Sequence, residues 1–272
     1  MNENEQILTS VLNCRRIDLY VDSKELTADQ KEQYSKMLAR RAQGEPLQYI
    51  IGHCEFLNTK LFVNEHVLVP RPETELLVEM AVQKLRMLKS RPLRILDLGT
   101  GSGNIAIALA KRVYDCHVTA LDISREAIMV ARNNARKNFV ENKTTFVWCD
   151  MFKFLEIDEE LTHKFDMVIS NPPYIKSGDI ATLPKDVQRE PHIALDGGKD
   201  GLAFYRGIVD RAGKFLNEDG LLMFEIGEHQ AKSIERIIQH FPYFQNTFIF
   251  RDYTDTDRFL CSQYKFTGAI IN

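Results

Sequence analysis

An alternation of strand-like and helical segments fills the middle of the chain and constrains its fold more than any other feature. Five short runs rich in β-branched and aromatic residues are typical of strands: 94–98, 117–122, 145–150, 165–170 and 221–226. Segments with helical periodicity lie between or after them: 104–112, 124–137, 201–216 and 228–240. A strand followed by a helix, repeated, is typical of parallel βαβ units. The pattern therefore predicts an α/β fold with a doubly wound, mostly parallel sheet.

Two further runs, 244–250 and 259–266, are strand-like but have no helical segment between them. Consecutive strands with a short connection can pair antiparallel, whereas parallel pairing needs a long crossover. We therefore expect an antiparallel pair at one edge of the sheet, which brings the predicted sheet to seven strands.

The residues before this region have a different pattern. Apolar side chains at helical spacing predict a first helix: Ile7, Leu8, Val11 and Leu12. Thr27 is the expected N-cap of a second helix that runs to Arg41. From Leu47 to Val69, β-branched and aromatic residues on both sides of a polar turn at 58–60 predict a hairpin.

A third helix is predicted over residues 73–88, directly after two prolines that interrupt the strand pattern. This punctuation is the best candidate for a domain boundary. We expect a helical N-terminal domain with a hairpin bridge over residues 1–68, which would recognise the substrate. The α/β domain that carries out the chemistry would then occupy residues 69–272.

Composition narrows the range of partners. The 272 residues carry a net charge of −3, and proteins that grip a long phosphate backbone are usually basic, so nucleic acid is an unfavoured partner. Five scattered cysteines without a C-x-x-C pair indicate neither a disulfide framework nor a metal site. The opening residues are polar and acidic, and no run approaches the roughly 18 apolar residues that span a bilayer. We expect a cytoplasmic monomer without a membrane partner.

A glycine-rich loop gives the strongest indication of a cofactor. The segment Asp97-Leu98-Gly99-Thr100-Gly101-Ser102-Gly103 directly follows a predicted strand and begins a predicted helix. Glycines at such a turn let the backbone approach a ligand closely. Asp122 ends the next strand, where a carboxylate can accept hydrogen bonds from both ribose hydroxyls. The structural alternative is a plain strand-to-helix turn with Asp122 as a helix cap.

The nature of the nucleoside follows from the charge of the loop. The spacing is neither G-x-G-x-x-G nor a P-loop, and Asp97 would repel a pyrophosphate. An acidic residue there suits a ligand with an ammonium group, which favours S-adenosylmethionine. Asp150, at the end of the third strand, could accept from the adenine amino group, or could simply cap the strand end. Met151 could wall the adenine ring, with ordinary core packing as the alternative.

The second motif is Asn171-Pro172-Pro173-Tyr174, just past the fourth strand. Open parallel sheets bind ligands beyond the carboxyl ends of their strands. The two prolines stiffen the backbone and lack an N–H, so the carbonyls of Asn171 and Pro172 are free to accept. The Asn171 side chain adds an acceptor and Tyr174 a flat face. The segment therefore predicts a site that holds a planar NH2 group, and a rigid turn is the alternative.

Together these motifs resemble the amino-nitrogen branch of the class I methyltransferases, whose members modify adenine, cytosine or glutamine amino groups. More specifically, the chain resembles the release factor glutamine methyltransferases, the HemK/PrmC family. The matching segments are R-A-Q-G-E-P-L-Q-Y-I (41–50), P-R-P-E-T-E (70–75), E-P (190–191), G-G-K-D-G-L (197–202) and E-I-G (225–227). The resemblance covers nearly the whole chain, and P-R-P-E-T-E before the glycine-rich loop is its most specific part.

The resemblance implies methyl transfer from S-adenosylmethionine to the side-chain amide nitrogen (N5) of glutamine in the Gly-Gly-Gln loop of peptide-chain release factors. Asn171 and Pro172 would then be catalytic, with the Asn171 side-chain oxygen and the Pro172 carbonyl each accepting one amide hydrogen. Arg71 and Glu73 would meet the substrate loop or steady N-P-P-Y. If Asn171 acts only as an acceptor, Asn171→Asp should retain part of the activity. No metal is expected in the reaction.

Two other activities fit the same motifs. A ribosomal-protein glutamine methyltransferase would share most of them, and an adenine-N6 methyltransferase would use N-P-P-Y to hold a flipped-out base. The chain also departs from the family pattern in two places. Its opening helical region looks short, and the segment 252–258 lacks the glycine that the family usually has there.

Overall fold

The computed structural model describes residues 2–21, 25–88, 92–154 and 164–265. The N-terminal part contains helices α1 (Glu3–Leu12), α2 (Asp18–Val21), α3 (Ala28–Ala42) and α4 (Leu47–Ile51). The predicted N-cap of α3 is confirmed, because the Thr27 hydroxyl accepts from the Gln30 N–H at 3.2 Å and the Gln30 side chain accepts from the Thr27 N–H at 3.0 Å. This reciprocal pair satisfies two backbone donors that the first helical turn leaves free.

A hairpin follows, built from β1 (His53–Phe56) and β2 (Thr59–Phe62). The predicted hairpin region was too long, because residues 47–51 form α4 instead of a strand. Leu47 and Ile50 pack with the buried side chains of α1 and α3, and this tertiary packing outweighs their β-branched and aromatic character. The turn also lies earlier than predicted, at Leu57 and Asn58, which both have positive φ as a two-residue hairpin turn requires.

The main sheet has seven strands: β3 (Leu93–Leu98), β4 (Cys116–Asp122), β5 (Thr144–Trp148), β6 (Phe165–Ser170), β7 (Leu216–Glu225), β8 (Phe244–Arg251) and β9 (Asp257–Tyr264). Their spatial order is β5-β4-β3-β6-β7-β9-β8. Strands β3 to β7 pair in parallel, while β9 lies antiparallel between β7 and β8. The predicted fold class and the antiparallel edge are confirmed. Phe266, the predicted end of the last strand, lies outside the described residues.

Helices cover both faces of this sheet: α5 (Pro72–Met87), α6 (Asn104–Arg112), α7 (Arg125–Lys137), α8 (Met151–Phe154), α9 (Ala203–Phe215) and α10 (Ala231–Gln239). One apolar layer joins α5, α6 and α7 to the sheet, and a second joins α9 and α10 to its other face. Both faces of the central strands are thereby buried, and every residue of β6 is inaccessible to solvent. This burial explains why the strands are continuous apolar runs instead of alternating ones.

The carboxyl ends of β3, β4, β5 and β6 meet at one edge of the sheet. There the chain makes its longest excursion, residues 171–202 between β6 and α9, which contains three short 3₁₀ turns (Ser177–Thr182, Val187–Arg189 and His192–Ala194). Below we call residues 171–202 the covering loop. No helix in the described part of the chain combines the length and apolar character required to cross a membrane.

One of the contacts that attach the hairpin to the α/β domain is made by a buried amide side chain. Asn134 on α7 is fully buried, and its Oδ1 accepts from the Phe62 N–H at 2.8 Å. Its Nδ2 donates to the Phe62 carbonyl at 3.0 Å and to the Ser102 carbonyl at 2.9 Å. The same side chain therefore pairs the edge of β2, as a neighbouring strand would, and fixes the glycine-rich loop.

We predict that Asn134→Ala lowers the free energy of unfolding by about 2–4 kcal/mol, since each buried polar group left without a partner costs about 1–3 kcal/mol. Urea unfolding followed by circular dichroism measures this change. Asn133→Ala is the matched control, because Asn133 lies on the same helix and, among the described residues, its side chain hydrogen-bonds only to the exposed Arg136. An equal, small loss in both variants would contradict the proposed attachment.

Candidate active site

The glycine-rich loop, residues 97–103, connects β3 to α6 as the sequence predicts. Gly99 has φ of +75° and Gly103 has φ of +82°, backbone conformations that favour glycine. Gly103 also lies against α7, where an added Cβ would come within 3.1 Å of the Ala131 Cβ. The Gly99 and Thr100 N–H groups both donate to the Leu121 carbonyl at 2.9 Å, which holds the loop against the end of β4.

Asp97 lies beneath this loop and is completely buried. Its Oδ2 accepts from the Thr100 hydroxyl at 2.6 Å, while its Oδ1 accepts no hydrogen bond from any described residue. The pKa of Asp97 is raised to about 7, chiefly by burial and to a smaller extent by the nearby Asp122 carboxylate, while the hydrogen bond from Thr100 lowers it. A buried carboxylate with an open acceptor site is suited to a positive charge placed above the loop.

The predicted loop residues take different positions around a cavity of about 200 Å³ at the carboxyl edge of the sheet. We call it the donor cavity. Gly99 and Gly101 line it, whereas Thr100 and Ser102 are buried behind them. The Ser102 hydroxyl has no hydrogen-bond partner among the described residues. The loop thus presents backbone to the cavity and keeps its polar side chains underneath.

Asp122 and Asp150 also line the donor cavity. The Asp122 carboxylate accepts from the Gly101 N–H at 2.8 Å and from the Ser124 N–H at 2.9 Å, and burial raises its pKa. Ser124, not Asp122, caps α7, because the Ser124 hydroxyl accepts from the Ala127 N–H. Asp150 lies two residues past β5, where the Phe152 N–H donates to its Oδ1 at 2.9 Å.

The remaining walls of the donor cavity are largely apolar and come from four separate segments. They are the region before P-R-P-E-T-E, the start of α8, the covering loop and the start of α9, and they contribute Val67, Leu68, Met151, Phe152, Ile193, Ala194 and Phe204. The cavity is therefore polar at the strand ends and apolar elsewhere. Such a division suits a purine ring with a hydroxylated sugar at its polar end.

A second cavity of about 300 Å³ lies on the other side of N-P-P-Y, and we call it the acceptor cavity. Pro172 and Tyr174 line the acceptor cavity, Pro173 lines the donor cavity, and Asn171 lines both. Leu68 and Ala194 also border both spaces. Asn171 therefore stands at the junction between the two cavities.

The Asn171 side chain is held by two residues that the sequence analysis did not single out. Its Nδ2 donates to the Thr74 hydroxyl at 3.1 Å, and that hydroxyl donates to Glu225 Oε2 at 2.6 Å. Thr74 and Glu225 are both about 1% exposed. With Nδ2 committed in this way, the Asn171 Oδ1 faces away from Thr74 and accepts from no described residue. The Asn171 side chain is thus a donor toward the protein, as in the alternative where its NH2 bonds a neighbour that orients it, and its Oδ1 is left available to accept.

Glu225 lies at the carboxyl end of β7 and is in contact with several parts of the acceptor cavity. Burial raises its pKa to about 7, while the Thr74 hydroxyl and the Arg258 guanidinium favour the ionised form. The Tyr174 hydroxyl donates to its Oε1 at 3.4 Å. The segment E-I-G (225–227) was the only local signal for this residue, since the partners of its side chain are remote in sequence.

The two predicted substrate residues, Arg71 and Glu73, line the acceptor cavity. Arg71 donates to Glu190 Oε1 at 2.6 Å, and the Val69 N–H donates to Glu190 Oε2 at 3.0 Å. Glu190 is 5% exposed and belongs to the covering loop. The P-R-P-E-T-E segment therefore forms one wall of the cavity and fixes the covering loop through Glu190.

The turn at 252–258 reaches the same cavity. Asp255 adopts φ of +61°, the conformation that a glycine would otherwise supply. The Asp252 carboxylate closes the turn by accepting from the Thr254 N–H at 2.8 Å and pairs with Arg258 at 3.0 Å. Arg258 in turn lines the acceptor cavity. The missing glycine is thus accommodated locally, and the turn positions a cation beside Glu225.

In the described residues, no group of three or more His, Cys, Asp or Glu side chains is arranged to hold a metal ion. The charged and polar groups assigned to the two cavities are carboxylates, backbone groups, the Asn171 amide, the Tyr174 hydroxyl and the guanidinium groups of Arg71 and Arg258.

Comparison with known proteins identifies both parts of the chain. A family model described as "Methyltransferase domain" matches residues 89–256, and one described as "PrmC N-terminal domain" matches residues 2–52. The chain is 40% identical to the release factor glutamine methyltransferase of Thermodesulfovibrio yellowstonii over 87% of its own length and 83% of that protein. The protein of the same name from Fusobacterium nucleatum is 38% identical over 96% of this chain and 72% of the relative.

Solved structures share the fold. A methyltransferase from Pyrococcus furiosus superposes with a TM-score of 0.55 and 17% identity, covering 85% of this chain and 100% of that structure. At this identity the likeness concerns the fold alone. The sequence relatives are far closer, and with them the family resemblance predicted from the motifs is confirmed: the chain belongs to the release factor glutamine methyltransferases.

Proposed function

We propose that this protein transfers a methyl group from S-adenosylmethionine to the side-chain amide nitrogen of a glutamine, in the Gly-Gly-Gln loop of peptide-chain release factors. The observation that carries the proposal is the position of Asn171 between two cavities, one suited to a nucleoside donor and the other to a polar side chain. The relatives' name indicates the same substrate. We also propose that residues 1–68 serve recognition and that residues 69–272 carry out the transfer.

The donor cavity fits S-adenosylmethionine, which supplies a methyl group on a sulfonium. The Asp122 carboxylate would accept from the ribose hydroxyls, because each of its oxygens keeps a lone pair beyond the one used by Gly101 or Ser124. Asp150 would accept from the adenine amino group and Met151 would pack against the ring. The open Oδ1 of Asp97 supplies negative potential beneath the loop, on the side that would receive the methionyl ammonium.

In the acceptor cavity, the Asn171 Oδ1 and the Pro172 carbonyl would each accept one hydrogen of the glutamine amide. An amide nitrogen is a weak nucleophile because its lone pair is delocalised into the carbonyl. Two acceptors on its hydrogens fix the NH2 group and favour the pyramidal geometry in which that lone pair is available. Pro173 and Tyr174 would complete the support of this geometry, and Arg71 and Glu73 would contact the substrate backbone. The surplus proton leaves the nitrogen after the transfer.

The proposed activity predicts labelling of a single residue type. Incubation with methyl-labelled S-adenosylmethionine and a purified release factor should place the label on the Gly-Gly-Gln glutamine, as mapped by mass spectrometry. Parallel reactions with ribosomal proteins and with adenine-containing oligonucleotides test the other two activities. If ribosomal proteins or oligonucleotides were labelled and the release factor was not, the proposed substrate would be wrong and the labelled one would take its place.

We predict that Asp122→Ala weakens the binding of S-adenosylhomocysteine by about 10- to 100-fold, because a charge-assisted hydrogen bond contributes about 1.5–3 kcal/mol. Isothermal titration calorimetry measures the dissociation constant. Asp179→Ala, at an exposed position of the covering loop, is the control and should leave it unchanged. Asp122 would have no role in donor binding if its variant bound normally while keeping a wild-type melting temperature.

We predict that Asn171→Ala lowers the single-turnover rate by about 10²- to 10³-fold, as expected when a polar contact to the reacting group is lost in a water-poor site. Asn171→Asp should fail almost as severely. A carboxylate lacks the NH2 that donates to Thr74, and it would place a second negative charge beside the hydroxyl already bonded to Glu225. Rates are measured by rapid quench at saturating donor and release factor.

Donor affinity should change little in both Asn171 variants, because the glycine-rich loop, Asp122 and Asp150 remain. If Asn171→Ala kept a near-normal single-turnover rate, the proposed catalytic role of N-P-P-Y would be wrong and the segment would be only a rigid turn. If Asn171→Asp alone kept most of the rate, the donor role of the Asn171 amide would be wrong and the acceptor role would stand.

A further inference from the structure

The hydroxyl of Thr74 lies between two polar groups, one of which requires a hydrogen-bond acceptor and the other a donor. It accepts a hydrogen from the Asn171 amide and donates its own to the Glu225 carboxylate. A hydroxyl has one hydrogen, so while Thr74 donates to Glu225 it can only accept from Asn171. Because Thr74 is 1% exposed, bulk water does not compete for its hydroxyl.

We propose that Thr74 and Glu225 act as positioning residues whose hydrogen-bond direction determines which end of the Asn171 amide faces the acceptor cavity. The inference rests on the proposed function. While Glu225 is ionised it can only accept, so Thr74 donates to it and accepts from the Asn171 NH2. The Asn171 oxygen is then directed toward the substrate amide, where an acceptor is needed.

The opposite arrangement would be inactive. A protonated Glu225 can donate to the Thr74 oxygen, which frees the Thr74 hydrogen to bond the Asn171 oxygen. The amide can then turn over and present its NH2 to the NH2 of the substrate, so that two donors face each other. One proton on Glu225 therefore removes the constraint that keeps the Asn171 oxygen directed toward the acceptor cavity.

The groups that face Glu225 come from four elements. Thr74 and Glu73 lie on α5, Tyr174 on the covering loop, and Arg258 on β9. The Tyr205 hydroxyl on α9 donates to the backbone carbonyl of Glu225 at 3.0 Å and not to its carboxylate. Arg258 and the hydrogen-bond donors favour the ionised form, while burial and Glu73 oppose it. The balance places the pKa of Glu225 at about 7, so both of its protonation states are populated near neutral pH.

The first test compares three threonine variants by single-turnover rate. Thr74→Val removes the hydroxyl at constant shape and should lower the rate by about 10- to 100-fold, the range seen when an outer hydrogen-bond partner of a metal ligand is removed. Thr74→Ser keeps the hydroxyl and should remain within about threefold of the wild type. Thr144→Val is the matched control, since Thr144 is buried at the start of β5 and its hydroxyl bonds only the Val140 carbonyl.

The second test is the pH profile between pH 6 and 8. The wild-type single-turnover rate should rise with pH and level off above about 7, because Glu225 loses its proton there. Glu225→Gln should flatten this rise, while the dissociation constant for S-adenosylhomocysteine stays within about threefold of the wild type. Asp97 also has a pKa of about 7 and is unchanged in this variant. Any remaining rise of the single-turnover rate with pH in Glu225→Gln would therefore be assigned to Asp97.

A third measurement does not depend on activity. In ¹⁵N-labelled protein, the protection of the Asn171 side-chain NH2 against exchange with water, measured relative to the base-catalysed exchange of a free amide at the same pH, should be higher at pH 8 than at pH 6, because the amide turns toward the open cavity when Glu225 is protonated. Thr74→Val should lower this protection at both pH values. If the wild type methylated no release factor, the proposed function would be wrong. These spectra would still show whether Thr74 and Glu225 set the orientation of the Asn171 amide.

Three results would overturn the inference. They are a wild-type rate in Thr74→Val, equal losses in Thr74→Val and Thr74→Ser, or a pH-independent Asn171 signal. If Thr74→Val does not fold, as judged by circular dichroism, the Glu225→Gln profile and the wild-type spectra decide alone.

Discussion

Parallel pairing of the central strands is the constraint on which the rest of the site depends. Leu98 at the end of β3 is in register with Leu121 of β4 and with Ser170 of β6, so the residues that follow each strand emerge side by side. The Ser170 hydroxyl donates to the Leu98 carbonyl at 2.6 Å and ties two of these ends together. The glycine-rich loop and N-P-P-Y are adjacent for this reason alone, although about 70 residues of chain separate them.

The sheet edge supplies only one side of the site, and segments outside the sheet supply the other. P-R-P-E-T-E contacts three separate parts of the structure: Thr74 bonds Glu225 of β7, Arg71 bonds Glu190 of the covering loop, and Glu75 accepts from the Leu57 N–H of the hairpin at 3.0 Å. A segment of six residues thus aligns the hairpin, the covering loop and the last parallel strand. A motif that precedes the first strand of the α/β domain therefore positions parts of the site that are remote from it in sequence.

Features with a local cause could be predicted from the sequence, and features with a remote cause could not. The glycine-rich loop, the Thr27 cap and the strands of the sheet follow from glycines, capping side chains and apolar runs within a few residues. Residues 47–51 were wrongly predicted as strand because burial against α1 and α3 decides their conformation. Thr74 and Glu225 are 151 residues apart, and neither has a neighbour that indicates the other. Their pairing required the fold.

The choice of asparagine between the cavities follows from the charges around it. Asp97, Asp122 and Asp150 give the donor side a negative potential that suits a cationic ligand, and Glu73 and Glu225 add to it on the acceptor side. A carboxylate at position 171 would be a stronger acceptor, but it would be repelled by Glu225 and would have no hydrogen to give Thr74. An amide accepts toward the substrate and donates toward the protein, so it joins the substrate to a buried anion without adding charge.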